Sequence, residues 1–396
     1  MHIAWIGKKS PFCGNVTYSR EITNSLLDRG YQVSFFHFAP EEADEPETFG
    51  SAGYQSEYQS GYQSGTQDVT LPCLYKSQIY TIPTFTANKV LERSLKELKP
   101  DIVHASLTLS PLDFLLPEIC QELNIPLVAT FHPPFDGKRR NLQSGTQLFT
   151  YQLYAPFLAN YDRVIIFSQL QKNFLVKLGV PAEKLAVIPN GVDVQKYYPG
   201  ASNFKTEMGC DRLFVYQGRI ATEKNVESLL KAWRLSKMDD SSKLVIVGGG
   251  PLVPSLKPLY GEDEGVVWLG FVAGDERRCE ILRAADVFIL PSYLEGLSLS
   301  LLEAMSCGAA CIATDAGADG EVLEKGAGVV MSTRRVTSQL QTLLPLFQDQ
   351  PELTPILGSK ARARVLDRYT LTSNITALEK LYAQMWAFSQ LQLTRR

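Results

Sequence analysis

Residues 212–233 read RLFVYQGRIATEKNVESLLKAW. The apolar run RLFVYQ breaks at Gly218, a short loop carries Arg219 and Lys224, and helical periodicity follows in NVESLLKAW. After Gly200 the same alternation continues through KLVIVGGG, VVWLGF, ERRCEILRAA, DVFILPS, LSLLEAMSCG and ACIATD. It also precedes this stretch, in HIAWIG, SREITNSLLDRG, YQVSFFHF, LERSLKELKP, DIVHAS, LPEICQELNIP, LVATFH and RVIIFS. Uniformly apolar strands separated by helices belong to parallel sheets covered on both faces. The predicted fold class is α/β with two doubly wound, Rossmann-like domains, 1–195 and 196–372, followed by a terminal helix within 373–396. Ligands of such sheets sit beyond the carboxyl ends of the strands, so the chemistry is sought in GKKSPFCGN, FHPPFD, QGRIATEKN, VGGG and PSYLEGLS.

A chain of 396 residues that is 45% hydrophobic exceeds what one core organises and suits two domains. The formal net charge is −3, without the basic excess expected of a nucleic-acid binder. Its seven cysteines are scattered and form no CxxC pair, which indicates neither a disulfide framework nor a zinc site and suits a reducing compartment. The opening MHIAWIGKKSPF lacks the features of a signal peptide, and no apolar run is long enough to span a bilayer. The expectation is a cytoplasmic protein that touches a membrane from one side if at all. Residues 41–68 hold seven acids and no base, and GYQSEYQSGYQSGTQ (53–67) repeats a Tyr-Gln-Ser unit without aliphatic residues. That segment reads as a disordered insert between two early strands, a tolerated surface expansion ahead of a platform for a membrane or partner.

Arg219 and Lys224, beside the N-terminus of the next helix, can meet a diphosphate, whereas either residue taken singly reads as a solvated loop charge. In LVIVGGGP (244–251), Gly248 and Gly249 let the backbone approach a ligand or serve a tight turn. In SYLEGLSLSLLEAMSCG (292–308), Glu295 lies in the loop after a buried strand, and Glu303 lies inside the helix that Gly308 closes. Surrounded by Leu299, Leu301, Leu302 and Met305, Glu303 needs a partner: the hydroxyls of a sugar or ribose, or an internal salt bridge such as one to Lys224.

These motifs, with WLGFV, AADVFILPSYLEGLSLSLLEAMSCG and DAGADGEVL, occur in the order and approximate spacing of the retaining family-4 glycosyltransferases of GT-B fold, which the chain resembles over nearly its whole length. The resemblance implies two Rossmann-like domains facing across a cleft, with the terminal helix crossing back to the first. It implies a UDP-sugar donor held by the second domain. Arg219 and Lys224 would meet the diphosphate, Glu295 the sugar hydroxyls and Glu303 the ribose. Gly248 and Gly249 would lie beside the donor, backbone at Gly270, Phe271 and Val272 would meet the base, and Leu297 and Ser298 would present helix N–H groups to the phosphates. Gly14-Asn15 stands where the family has two glycines, and because Asn tolerates unusual backbone conformations the turn is expected to survive beside the sugar or acceptor. His132 in TFHPPFD matches the family's histidine near the reacting carbon, where a neutral imidazole serves as a weak donor. His104 reads as structural. PNGVD (189–193) matches the interdomain hinge, with Asn190-Gly191 allowing positive φ. In the last helix, roughly 374–390, Tyr382, Met385, Trp386 and Phe388 read as core.

The implied mechanism is front-face transfer with retention, without a metal or other cofactor, the leaving diphosphate being stabilised by cations and helix N–H groups. The stretch IAWIGKKSPFCGNVTYSREITNSLLDRGYQVSFFHF and residues 130–136 are similar to the cyanobacterial digalactosyldiacylglycerol synthases. This implies galactose transfer from UDP-galactose to monogalactosyldiacylglycerol by an enzyme peripherally bound to the cytoplasmic face of a membrane. Residues 138–161 join three cations to Phe149, Tyr151, Tyr154, Phe157 and Tyr161, which suits an anionic lipid interface or, equally, an ordinary amphipathic helix against the sheet. A soluble or polysaccharide acceptor, and a non-catalytic nucleotide-sugar sensor, remain alternative readings.

Overall fold

The computed structural model describes residues 1–10, 13–40, 62–135 and 142–393. The chain divides into two compact units, one comprising residues 1–133, 150–188 and 375–396 and the other 134–149 and 189–374.

The first unit is built on β1 (His2–Gly7), β2 (Gln32–Pro40), β3 (Gln67–Lys76), β4 (Thr81–Pro83), β5 (Ile102–Ser106), β6 (Leu127–Thr130), β7 (Arg163–Ile166) and β8 (Leu185–Val187). Their order across the sheet is β4-β3-β2-β1-β5-β6-β7-β8, parallel except for the antiparallel β3–β4 hairpin. Ile3, Ala4, Trp5 and Ile6 of β1 are all buried, as a central strand covered on both faces requires. The strand order turns back between β1 and β5, which opens a crevice at their carboxyl ends.

The second unit repeats the scheme with β9 (Arg212–Gln217), β10 (Ser242–Val247), β11 (Val266–Gly270), β12 (Val287–Leu290), β13 (Ala310–Thr314) and β14 (Val329–Met331), ordered β11-β10-β9-β12-β13-β14 and wholly parallel. Here the order turns back between β9 and β12. The loops that leave those two strands carry QGRIATEKN and PSYLEGLS.

The terminal helix, Leu371–Leu393, falls from Ile375 onward in the first unit, where Ile375, Leu378, Tyr382 and Met385 form its buried stripe. Trp386 and Phe388 are 40% and 64% exposed, so two of the four residues expected in the core lie outside it. Of the aromatics expected at a lipid interface, Tyr151, Tyr154 and Tyr161 are instead buried. They donate to Pro133 O, Asp113 Oδ2 and Asp113 O at 2.8, 2.9 and 2.6 Å. Phe149 is 66% exposed, and the cations at 138–140 lie outside the described residues.

Much of the Tyr-Gln-Ser segment, 41–61, also lies outside the described residues. Its last part is ordinary structure: β3 begins at Gln67, and Tyr62 meets Phe35 edge-on at 5.2 Å with Lys9 Nζ 4.5 Å from its ring centre. Asn190 and Gly191 do not have positive φ. Gly191 is required by space, since a Cβ there would stand 2.7 Å from Leu371 Cα and Thr370 O, and Val192 bridges Thr370. The β3–β4 hairpin, β8 and β14 carry no clear sequence signal, being short or only half buried.

Candidate active site

In the second unit the β9 loop and the β12 loop are tied together by their backbones, Tyr293 N donating to Glu223 O at 2.8 Å. Glu295, 6% exposed, accepts at Oε1 from Lys224 Nζ at 2.6 Å and from Ser292 Oγ at 2.7 Å. Its Oε2 accepts no hydrogen bond among the described residues. The salt bridge of Lys224 therefore goes to Glu295, while Glu303 accepts from Gln217 Nε2 at 2.7 Å. Arg219 pairs with Glu223, one helical turn further on. The two cations expected to wait for a diphosphate are thus each matched by a carboxylate.

Two glycines of LVIVGGGP, Gly248 and Gly250, are required by loop packing. Gly248 has φ +133°, and a Cβ there would stand 1.9 Å from Gly218 O. Gly248 N donates to Gly270 O at 2.7 Å, binding the ends of β10 and β11. Only open space adjoins the Cβ position of Gly249, and residues 268–273 form a half-buried strip along the end of β11 that includes Gly270, Phe271 and Val272.

Ser298 caps the helix Leu299–Cys307, its side chain accepting from Leu301 N. Its own N–H is engaged by Asp319 Oδ1 at 3.0 Å, so the Ser298 N–H expected for a phosphate is already occupied. Neighbouring Leu297 accepts at its carbonyl from Asn190 Nδ2 at 2.9 Å. Asp319 is wholly buried, and its Oδ2 has no hydrogen-bond partner among the described residues. Burial, then the nearby Glu295 charge, pushes its carboxyl well above the ordinary range.

In the first unit, Gly14 and Asn15 open the helix Gly14–Asp28 with ordinary φ, and no unusual turn needs to be tolerated. Asn15 Nδ2 donates to Leu107 O at 3.2 Å, bridging the β1 and β5 loops. Its Oδ1 accepts from Ser106 Oγ at 2.8 Å, and Ser106 Oγ lies 2.8 Å from His132 Nε2. Since the Ser106 proton is directed to Asn15, the serine oxygen accepts from His132 Nε2–H, which leaves Nδ1 as the acceptor nitrogen of the ring. Tyr18 and Phe167 enclose the ring, at 4.9 and 5.3 Å between centres. Burial, then the Lys8 charge, lowers its pKa to about 3, so it is neutral at ordinary pH. His104 lies between Tyr382 Oη and Thr130 Oγ1 and is fully buried, a structural histidine.

The residues added to the site by the structure are Glu223, Ser292, Gln217, Asp319 and Ser106. Glu223 had a usable signal, four residues after Arg219. Ser292 lies three residues before Glu295, whereas Gln217, Asp319 and Ser106 pair across distances that no local pattern carries.

Residues 202–364 match the model for glycosyl transferases group 1, and residues 13–196 match that for Glycosyltransferase Family 4. The chain is 28% identical over 311 residues to the UDP-Gal:alpha-D-GlcNAc-diphosphoundecaprenol alpha-1,3-galactosyltransferase of Escherichia coli, covering 74% of this chain and 78% of that protein. It is 28% identical over 242 residues to the alpha-monoglucosyldiacylglycerol synthase of Streptococcus pneumoniae, covering 57% and 54%. Its fold superposes on Anabaena Alr3699/HepE, solved in complex with UDP, with a TM-score of 0.75 at 17% identity over 97% of this chain and 100% of that one. Two doubly wound sheets, each matched along most of its length by its own model, identify the chain as a member of the GT-B glycosyltransferases of group 1 and Family 4.

Proposed function

We propose that this protein transfers a hexose from a UDP-sugar to a lipid-linked acceptor with retention of configuration, in its finer form galactose from UDP-galactose onto monogalactosyldiacylglycerol. The carrying observation is Glu295: a buried carboxylate at the sheet's turning point, one oxygen held by Lys224 and Ser292 and the other without a partner among the described residues. Such an oxygen accepts hydrogen bonds from sugar hydroxyls in fixed geometry. Glu303, beside Gln217, would take the ribose hydroxyls, and the strip at Gly270, Phe271 and Val272 the base.

In this reading the donor diphosphate takes the place of Glu223 at Arg219, and Lys224 lends its charge while still holding Glu295. The bond from the anomeric carbon to the β-phosphate oxygen breaks, and the acceptor oxygen bonds to that carbon from the same face. The acceptor's proton passes to the leaving phosphate. Arg219, once exchanged from Glu223 to the diphosphate, and Lys224 stabilise that leaving charge, so no metal is assigned a role.

A diphosphate-linked glycan acceptor is the second reading, favoured by the similarity to the Escherichia coli galactosyltransferase. Purified protein is to be incubated with UDP-galactose or UDP-glucose and vesicles holding monogalactosyldiacylglycerol or a diphosphoundecaprenol-linked sugar, with and without EDTA. Mass spectrometry should find a dihexosyl lipid formed from UDP-galactose, insensitive to EDTA. Product only on the diphosphate-linked acceptor establishes the second reading, and UDP release without lipid product overturns both.

A further inference from the structure

The β3–β4 hairpin presents an apolar surface that the described residues of the first unit leave uncovered. Leu74, Tyr75, Ile79, Tyr80, Ile82 and Phe85 are 40–98% exposed, with Phe85 at the upper limit. Tyr75, Ile82 and Tyr80 adjoin one another: Tyr75 pairs with Ile82 across the hairpin, and the Tyr75 and Tyr80 rings lie 5.5 Å apart, while Leu74, Ile79 and Phe85 lie within the same stretch of chain. The turn is held rigidly, Ser77 Oγ accepting from Tyr80 N at 3.0 Å and Ser77 N donating to Tyr80 O at 2.9 Å. Lys8 Nζ donates to Ser77 O at 3.0 Å, which anchors the tip at the carboxyl end of β1, the sheet edge that also carries Asn15 and Ser106.

We infer that this hairpin is the membrane-docking surface of the protein, its apolar tips entering the interface of a bilayer that carries anionic headgroups. Residues 69–91 contain Lys76 and Lys89 and no acid, in a chain whose net charge is −3, so the patch is locally cationic against the overall sign. Exposed aromatic and aliphatic tips flanked by lysines fit an anionic lipid surface. A second copy pairing edge to edge fits poorly, because β4 spans only Thr81–Pro83 and ends in a proline that cannot donate. Docking here would lay the lipid plane along the edge where His132 and Ser106 sit. Its purpose rests on the lipid-acceptor reading, but the docking itself does not.

The full-length protein is to be sedimented with phosphatidylcholine vesicles with and without phosphatidylglycerol, no donor or acceptor being present, so that binding is judged separately from transfer. Wild type should pellet only with phosphatidylglycerol. The exposed pair Ile79→Ser/Phe85→Ser should lower partitioning by about tenfold or more, and Lys76→Gln/Lys89→Gln should lower it by about tenfold. Wild type remaining in the supernatant with both vesicles, or a serine variant that pellets as wild type does, overturns the inference. So does a vesicle-free dimer that the serine pair dissociates, which would assign the patch to a second copy.

Discussion

Glu295 is the residue on which the donor site turns. Its replacement by Gln keeps the side-chain length and the Ser292 bond but leaves Lys224 without its counter-charge. Turnover should fall about a hundredfold, with the melting temperature lowered by the uncompensated Lys224 charge, and a folded enzyme of near wild-type rate would remove Glu295 from its role. Arg219→Ala should cut kcat far more than stability, because its pair with Glu223 is partly exposed and such pairs contribute little to folding. Asp319 makes a pH prediction. Its carboxyl is raised in the fold, so between the ordinary carboxyl range and that raised value the unfolded chain has released a proton that the native state retains, and stability falls as pH rises. Asp319→Asn keeps the Ser298 contact and removes that slope, so its melting-temperature advantage over wild type should grow as pH rises above the ordinary carboxyl range. A constant difference above that range would mean that Asp319 is ionised in the fold. His132 has the opposite sign. With its pKa lowered to about 3, it contributes stability that is present above its unfolded value and lost as pH falls toward about 3.

The decisive elements are the strand-to-loop junctions. The loops after β9 and β10 interlock through Gly218 N to Val247 O at 2.9 Å and Ile220 N to Gly249 O at 2.8 Å, with Gly248 fitted against Gly218. Gly248→Ala adds both a steric clash with a backbone carbonyl and a left-handed φ to a branched centre, and should destabilise the second unit by about 3 kcal/mol. Denaturant unfolding measures this, and a loss near zero would show that the two loops can separate freely. These junctions were legible because apolar strand, glycine and basic loop follow each other within a few residues. The β3–β4 hairpin was not, since half its apolar residues face outward and its alternation does not mark a buried face.

For the whole molecule, the terminal helix completes the first unit. Tyr382 is fully buried, its hydroxyl on His104 Nδ1, and Arg29 pairs with Glu379 at the surface. Tyr382→Ala should cost about 3–5 kcal/mol, from a cavity and from an unpaired buried imidazole. Hydrogen exchange should register the loss first in β5 and β6, the strands of His104 and Thr130. An effect confined to the helix itself would show that the helix is merely adherent.

The sequence by itself determined the alternation of the buried strands and helices, the presence of two doubly wound units and the loops that carry the chemistry. Those properties are set by local periodicity and by the rule that such sheets open at their carboxyl edges. Only the tertiary structure decided the partners that lie far apart in sequence: Lys224 with Glu295 rather than Glu303, Asp319 beneath Ser298, and His132 on Ser106, which in turn donates to Asn15. A buried charge or hydrogen-bonding group takes whatever complementary atom lies within about 3 Å, and for pairs such as Lys224 and Glu295, 71 residues apart, that neighbourhood exists only once the sheet has closed around its turning point.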